Sequence, residues 1–115
     1  MSDGAGLEIH KRSEGKAIVL EPDGDVDMNA SVPFRAALSE ALRDGPERLV
    51  VDLDRVGHMD SAGLATLVEA MRHAKDSSVE LILCSLNDRV RGVFEIARLD
   101  QYFRIVGSVE LALEG

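Results

Sequence analysis

Ser61 is the residue of this chain best placed for chemistry. It stands in Met59-Asp60-Ser61-Ala62-Gly63-Leu64, just beyond the apolar run Leu49-Val50-Val51-Asp52-Leu53 and at the head of a helical pattern. With Asp60 as N-cap, Ser61 takes the first helical position and holds its hydroxyl at the helix start. Met59 and Leu64 then fall at the two positions of a hydrophobic staple. Ala62 and Gly63 leave the hydroxyl uncrowded, so a large partner could approach it. Glycine inside a helix costs about 1 kcal/mol relative to alanine, which points to a close approach at Gly63, by a partner or by packing against the sheet. Local chemistry leaves two readings open: a hydroxyl on which a partner acts, or a pair of polar residues that only cap a helix.

Other constellations lack their partners. A G-x-S-x-G nucleophile needs a glycine where Met59 stands, together with a placed histidine and acid. His10, His58 and His73 share no spacing, and each reads as a surface histidine, with His58 alone near Ser61. Asp52 and Asp54 at a strand end resemble the acceptor of a receiver domain. That site also needs an acidic pair after the first strand and a lysine after a later one, and the only lysines are Lys11, Lys16 and Lys75. No phosphate-cradling glycine loop occurs, and no Cys/His set has metal-ligand spacing. The expectation is no catalytic residue, no cofactor and no metal.

The elements that must position Ser61 follow from periodicity. Leu7–Arg12 and Lys16–Glu21 read as a β-hairpin turning at Ser13-Glu14-Gly15. Pro22-Asp23-Gly24-Asp25-Val26-Asp27 is too acidic and glycine-broken for regular structure. Residues 31–43 carry Phe34, Leu38, Ala41 and Leu42 on one helical face, with Ser31 as candidate N-cap and Asp44-Gly45-Pro46 as stop. Leu49–Leu53 and Val79–Cys84 are nearly continuous hydrophobe, the pattern of strands covered on both faces of a parallel sheet. Between them, Leu64, Leu67, Val68 and Met71 mark a helix. Asn87 caps a third helix with Val90, Val93, Phe94 and Ala97 inward. Tyr102–Val106 is a last strand, and Ser108 caps a final helical stub. The order β-β-α-β-α-β-α-β-α calls for an α/β fold: a mixed β-sheet whose parallel core strands are flanked by about four helices. Ser61 then lies at the carboxyl edge of the sheet, where open α/β sheets carry their sites.

Composition narrows the function. The 115 residues suit one domain spanning 1–115. Acids outnumber bases 21 to 13, for a net charge of −8. Such a surface repels phosphate backbones and anionic membranes, so no nucleic-acid partner is expected. No apolar stretch is long enough to span a bilayer, so no membrane insertion is expected either. The lone Cys84 sits in an apolar run and reads as a buried small hydrophobe in a reducing compartment. With no signal-peptide pattern in the first thirty residues, a cytoplasmic protein is expected.

Met59-Asp60-Ser61-Ala62-Gly63-Leu64 closely resembles the phosphorylation motif of bacterial anti-sigma factor antagonists, members of the STAS domain family. The likeness extends to Gly24-Asp25-Val26-Asp27, to the helix and Leu49–Leu53 strand that follow it, and to the element order over nearly the whole chain. The resemblance implies a STAS-like fold and a partner-switching role without enzymatic activity. Family members bind a GHKL-type serine kinase that doubles as an anti-sigma factor. Phosphorylation of the motif serine breaks that contact, and a metal-dependent serine phosphatase restores it. Carried over by position, Ser61 is the phosphoacceptor, Asp60 its neighbour, and Asp27 an acidic residue of the facing loop. Asp25, Asp27, Asp60, Ser61, Ala62 and Gly63 together form the expected partner-binding set. Ala62 departs from the family, which often has a second serine there. The resemblance also allows another role, as a STAS module of a lipid-transport or transporter-associated complex with nucleotide contact. The phosphorylatable Ser61 and the chain's length favour the antagonist.

Overall fold

The computed structural model describes residues 6–114. Its strands are β1 (Glu8–Glu14), β2 (Ala17–Asp23), β3 (Arg48–Asp52), β4 (Glu80–Cys84) and β5 (Arg104–Val106). Its helices are α1 (Ser31–Arg43), α2 (Ser61–Asp76), α3 (Asp88–Ile96) and α4 (Val109–Glu114), with a 3₁₀ turn at Met28–Ala30 leading into α1. The strands lie side by side in chain order. β1 is antiparallel to β2, and every later pair is parallel. The expected element order and the interior parallel placement of β3 and β4 are both present.

Alternation along the strands decides the two faces. Ile18, Leu20, Leu49, Val51, Leu81 and Leu83 share one cluster with Phe34 and Leu38 of α1, Leu64 and Leu67 of α2, and Val90 and Phe94 of α3. Three helices therefore cover one face. Val19, Val50, Ile82 and Cys84 point the other way and meet Ala112 of α4. Arg48 fastens that short helix. Its guanidinium donates to the carbonyls of Ala112 and Leu113, at 3.1 and 3.0 Å, where a helix end leaves acceptors without intrahelical donors. The same residue pairs with Glu80 at 3.1 Å, and Glu80 also accepts from Arg104. Partial burial alone would raise the Glu80 pKa, but the two guanidinium hydrogen bonds outweigh it and hold that carboxyl below its usual value.

Several boundaries differ from the expectation. The hairpin turns on Gly15-Lys16 alone, because β1 runs on to Glu14, which pairs with Ala17. Gly15 has φ +63°, the left-handed geometry that two-residue hairpins demand at their first central position. Pro22 and Asp23 belong to β2 and not to the loop. Proline is tolerated there because its nitrogen faces away from β1, on the side where the ladder with β3 has already ended at Leu20 and Val51, so no partner needs the missing N–H. Ser31 is the first residue of α1 and not its N-cap. Asp27 caps the preceding 3₁₀ turn through Ala30 N–H at 3.1 Å, and the Ser31 hydroxyl donates back to the Met28 carbonyl at 2.9 Å. Ala97 is exposed at the end of α3, since that helix stops one residue earlier. Asn87 and Ser108 cap as expected, through Val90 N–H and Leu111 N–H.

Candidate functional site

The loop from Leu53 to Asp60 carries the chain from β3 to α2 and is pinned at both ends. Leu53 N–H donates to the Cys84 carbonyl at 2.9 Å, and Asp54 N–H donates to Asp52 Oδ1 at 3.2 Å. From the next loop, the Asn87 side-chain amide donates to the Val56 carbonyl at 3.1 Å. The acidic segment after β2 runs beside this loop as a one-residue extension of the sheet. Val26 forms an isolated parallel bridge with Met59, through Val26 N–H to the His58 carbonyl at 3.0 Å and Asp60 N–H to the Val26 carbonyl at 3.2 Å. The single apolar residue among these acids is fully buried. Its burial, and not the surrounding charge, sets the segment's path.

Asp60 is the hub of the site. One carboxylate oxygen accepts from Ala62 N–H at 2.9 Å and Gly63 N–H at 3.1 Å, which caps α2. The other accepts from Met28 N–H at 3.1 Å and so joins the start of α2 to the turn that opens α1. Ser61 follows at the first helical position and is exposed. Among the described residues its hydroxyl makes no hydrogen bond. Asp25 is exposed, Asp27 and Ala62 are half-buried, and none of Asp25, Asp27 and Asp60 pairs with a cation among the described residues. The structure thus brings Asp27, Asp60, Ser61 and Ala62 together around one helix start, while the Asp25 carboxylate lies beside Gly57, earlier in the loop.

Gly63 is also there, but beneath the surface. A Cβ at this position would lie 2.6 Å from the Val26 carbonyl oxygen, 2.7 Å from Val26 Cγ1 and 3.0 Å from Met59 Cγ. The close approach inferred from the sequence is therefore internal, between α2 and the 24–27 segment. Met59 and Leu64, the two staple positions, are both buried in the same cluster.

This arrangement limits what the helix start can do. A free N-terminus would bind an anion through its first amide groups. Here the Asp60 carboxylate already occupies the amides of Ala62 and Gly63. A phosphoryl group on Ser61 would keep the favourable helix dipole but would sit on the surface among carboxylates.

Two features lay outside the sequence reading. The hydrogen bond from Met28 to Asp60 joins residues 32 apart, and no local pattern signals it. The antiparallel register also places Glu8, His10 and Asp23 on one face of the hairpin, with donor atoms within 4.8 Å of one another, as a metal ion would need. Glu8 and His10 are exposed, and the Arg55 guanidinium already faces Asp23 at 4.0 Å. His58, the histidine nearest Ser61 in sequence, is exposed and contributes its backbone carbonyl to the Val26 bridge.

Comparison with known proteins places these features in a family. The model of the STAS domain matches residues 8–112. BtrV of Bordetella bronchiseptica, named as a candidate anti-sigma factor antagonist, is 33% identical over 89 residues, covering 77% of each chain. The anti-sigma-B factor antagonist of Staphylococcus aureus is 25% identical over 105 residues, covering 91% of this chain and 97% of its own. In structure, the chain is similar to the Bacillus cell-fate determinant and anti-sigma factor antagonist SpoIIAA. The TM-score is 0.79 for its unphosphorylated form, over 93% of this chain and 94% of that one. It is 0.70 for its phosphorylated form, over 95% and 97%. At 22% identity both likenesses speak to the fold.

Proposed function

This chain belongs to the STAS domain family, and from that premise we propose that it is an anti-sigma factor antagonist whose contact with its partner is switched by phosphorylation of Ser61. The observation that carries the reading is the Asp60-capped start of α2. An exposed serine hydroxyl with no partner in the described structure stands beside the acidic 24–27 segment, on a backbone held from both sides. The names of the relatives in Bordetella and Staphylococcus support the antagonist role, and the existence of a phosphorylated form of SpoIIAA supports modification as the switch.

In this reading the unphosphorylated chain binds a GHKL-type serine kinase that is itself the anti-sigma factor, and so releases the sigma factor. The kinase transfers a phosphoryl group to Ser61 Oγ, and a metal-dependent serine phosphatase removes it. In this reading the chain contributes the positioned hydroxyl, the kinase and the phosphatase supply the catalysis, and the three meet in the cytoplasm.

The physics of the switch follows from the site. A phosphate adds roughly −1.5 to −2 charges at neutral pH. The amides of Ala62 and Gly63 are committed to Asp60, so the helix start has fewer free donors to offset the added charge. It joins Asp25, Asp27 and Asp60 on a molecule whose net charge is already −8. A partner packed against a neutral hydroxyl would then face desolvated, unpaired charge, while nothing in the core is touched. Binding fails and the fold persists.

The test is incubation with candidate kinases and ATP, followed by mass spectrometry of the peptide that contains residues 56–72. Wild type should gain one phosphoryl group on Ser61, and the Ser61→Ala variant none. Phosphate on another residue, or equal labelling of the Ser61→Ala variant, would overturn the assignment.

A further inference from the structure

Resting on the antagonist reading above, we propose that Met28 and Val32 are the apolar anchors of the partner contact, and that the partner supplies an apolar recess bordered by Arg or Lys. Both side chains stand out into solvent, Met28 at 71% and Val32 at 69% exposure, in a chain whose other large apolar groups are mostly buried. They lie four residues apart, Met28 in the 3₁₀ turn and Val32 in the first turn of α1, at the end of α1 that meets the start of α2. Three residues beyond Val32, Arg35 of the same helix forms an ion pair with Glu69 of α2 at 2.8 Å. α1 therefore borders α2, with Met28 and Val32 at its N-terminal end.

On the α2 side the corresponding surface is made by Ala62 and by exposed Ala65, one helical turn beyond Ser61. Small residues there keep the surface low beside two protruding side chains. The Arg35–Glu69 ion pair closes the patch at its lower end. The patch is tied to the modification site through the backbone, because Met28 N–H donates to the carboxylate that caps the helix of Ser61. Its other border is acidic: Asp27 directly precedes Met28 and Asp25 stands two residues earlier, neither with a cation of its own among the described residues. A complementary surface needs apolar side chains to cover Met28 and Val32 and cationic ones to meet the two aspartates. A phosphoryl group on Ser61 would open at the edge of this patch and prevent its desolvation.

The experiment immobilises each purified GHKL-type kinase of the source genome and measures binding of the wild-type chain and of Met28→Ser, Val32→Ser, the double variant, Ser61→Asp and Ile96→Ser. Ile96 is the control, since it is 87% exposed at the far end of α3. Burial of a side chain of this size is worth about tenfold in affinity. Each anchor variant should weaken binding about tenfold and the pair about a hundredfold, mostly through faster dissociation. Ile96→Ser should stay within twofold of wild type. Circular dichroism should show all variants folded, because the replaced groups are on the surface. If Ser61→Asp loses binding while the double variant stays within twofold, the anchors are wrong and the antagonist reading stands. Equal losses for Ile96→Ser and the anchor variants would also overturn the anchor assignment. If no kinase binds the wild-type chain, both fall.

Discussion

Replacing Gly63 with alanine sets two effects of opposite sign against each other. Inside a helix, alanine is favoured over glycine by about 1 kcal/mol, so propensity alone predicts a more stable protein. The new Cβ would however stand 2.6 Å from a backbone oxygen of Val26 and 2.7 Å from Val26 Cγ1. Neither is the far end of a flexible side chain, so α2 or the 24–27 segment must move. Forcing a methyl into a packed site typically costs about 1–3 kcal/mol. The oxygen it displaces is also the acceptor for Asp60 N–H at 3.2 Å, a bond whose net worth is about 1 kcal/mol. The steric and hydrogen-bond losses together exceed the gain in propensity, leaving a net destabilisation of about 1–3 kcal/mol. Urea denaturation followed by circular dichroism measures this directly. In a thermal scan the midpoint should fall by roughly 4 °C or more. A Gly63→Ala variant as stable as wild type would refute the packing argument, and with it the claim that the missing side chain lets the acidic segment sit against α2.

Other consequences are smaller and separately measurable. Asp60→Ala should lower stability by about 1–2 kcal/mol through loss of the cap, and the Met28 amide should exchange faster with solvent. Asp60→Asn, which keeps a carbonyl oxygen for the cap, should lose less on both counts. The Cys84 thiol, pushed up to about 11 by burial and by the nearby Asp52, should resist alkylation at pH 8 in the folded chain and react readily in denaturant. Reaction at equal rates in both states would contradict its burial. A carboxyl held below its usual pKa stabilises the fold above the unfolded value, and that contribution fades as pH falls through the folded one. Glu80→Gln should therefore cost stability at pH 7, and its deficit should shrink at low pH in urea titrations; a gap independent of pH would speak against the Arg48 and Arg104 contacts.

The fold was legible where burial repeats with a period. Phe34, Leu38, Ala41 and Leu42 marked the core face of α1, and the run at Leu49–Leu53 marked an interior strand, because apolar spacing there reports one covered face. The site was legible where a single helix start holds it: Asp60 as cap and Ser61 at the first position need only local geometry. Reading failed where charge and burial disagree or where contacts are distant in sequence. Val26, enclosed by aspartates, belonged to a loop by composition, yet its side chain is core and its backbone extends the sheet. The role of Gly63 stayed open because its neighbour, Val26, lies 37 positions away. Met28 and Val32 gave no signal at all, since an exposed apolar residue looks the same in sequence as a buried one.

The most direct test of the proposed switch is titration calorimetry of wild type, Ser61→Ala and Ser61→Asp against a kinase found to label Ser61 in the assay above, with circular dichroism confirming that each is folded. Removing a hydroxyl at an exposed helix start should leave affinity near that of unphosphorylated wild type. Adding one carboxylate beside Asp60 should weaken it at least tenfold, since each ~1.4 kcal/mol of uncompensated charge is a factor of ten. Equal affinity of the Ser61→Ala and Ser61→Asp variants, both folded, would mean that Ser61 lies outside the contact and serves only as the first residue of its helix.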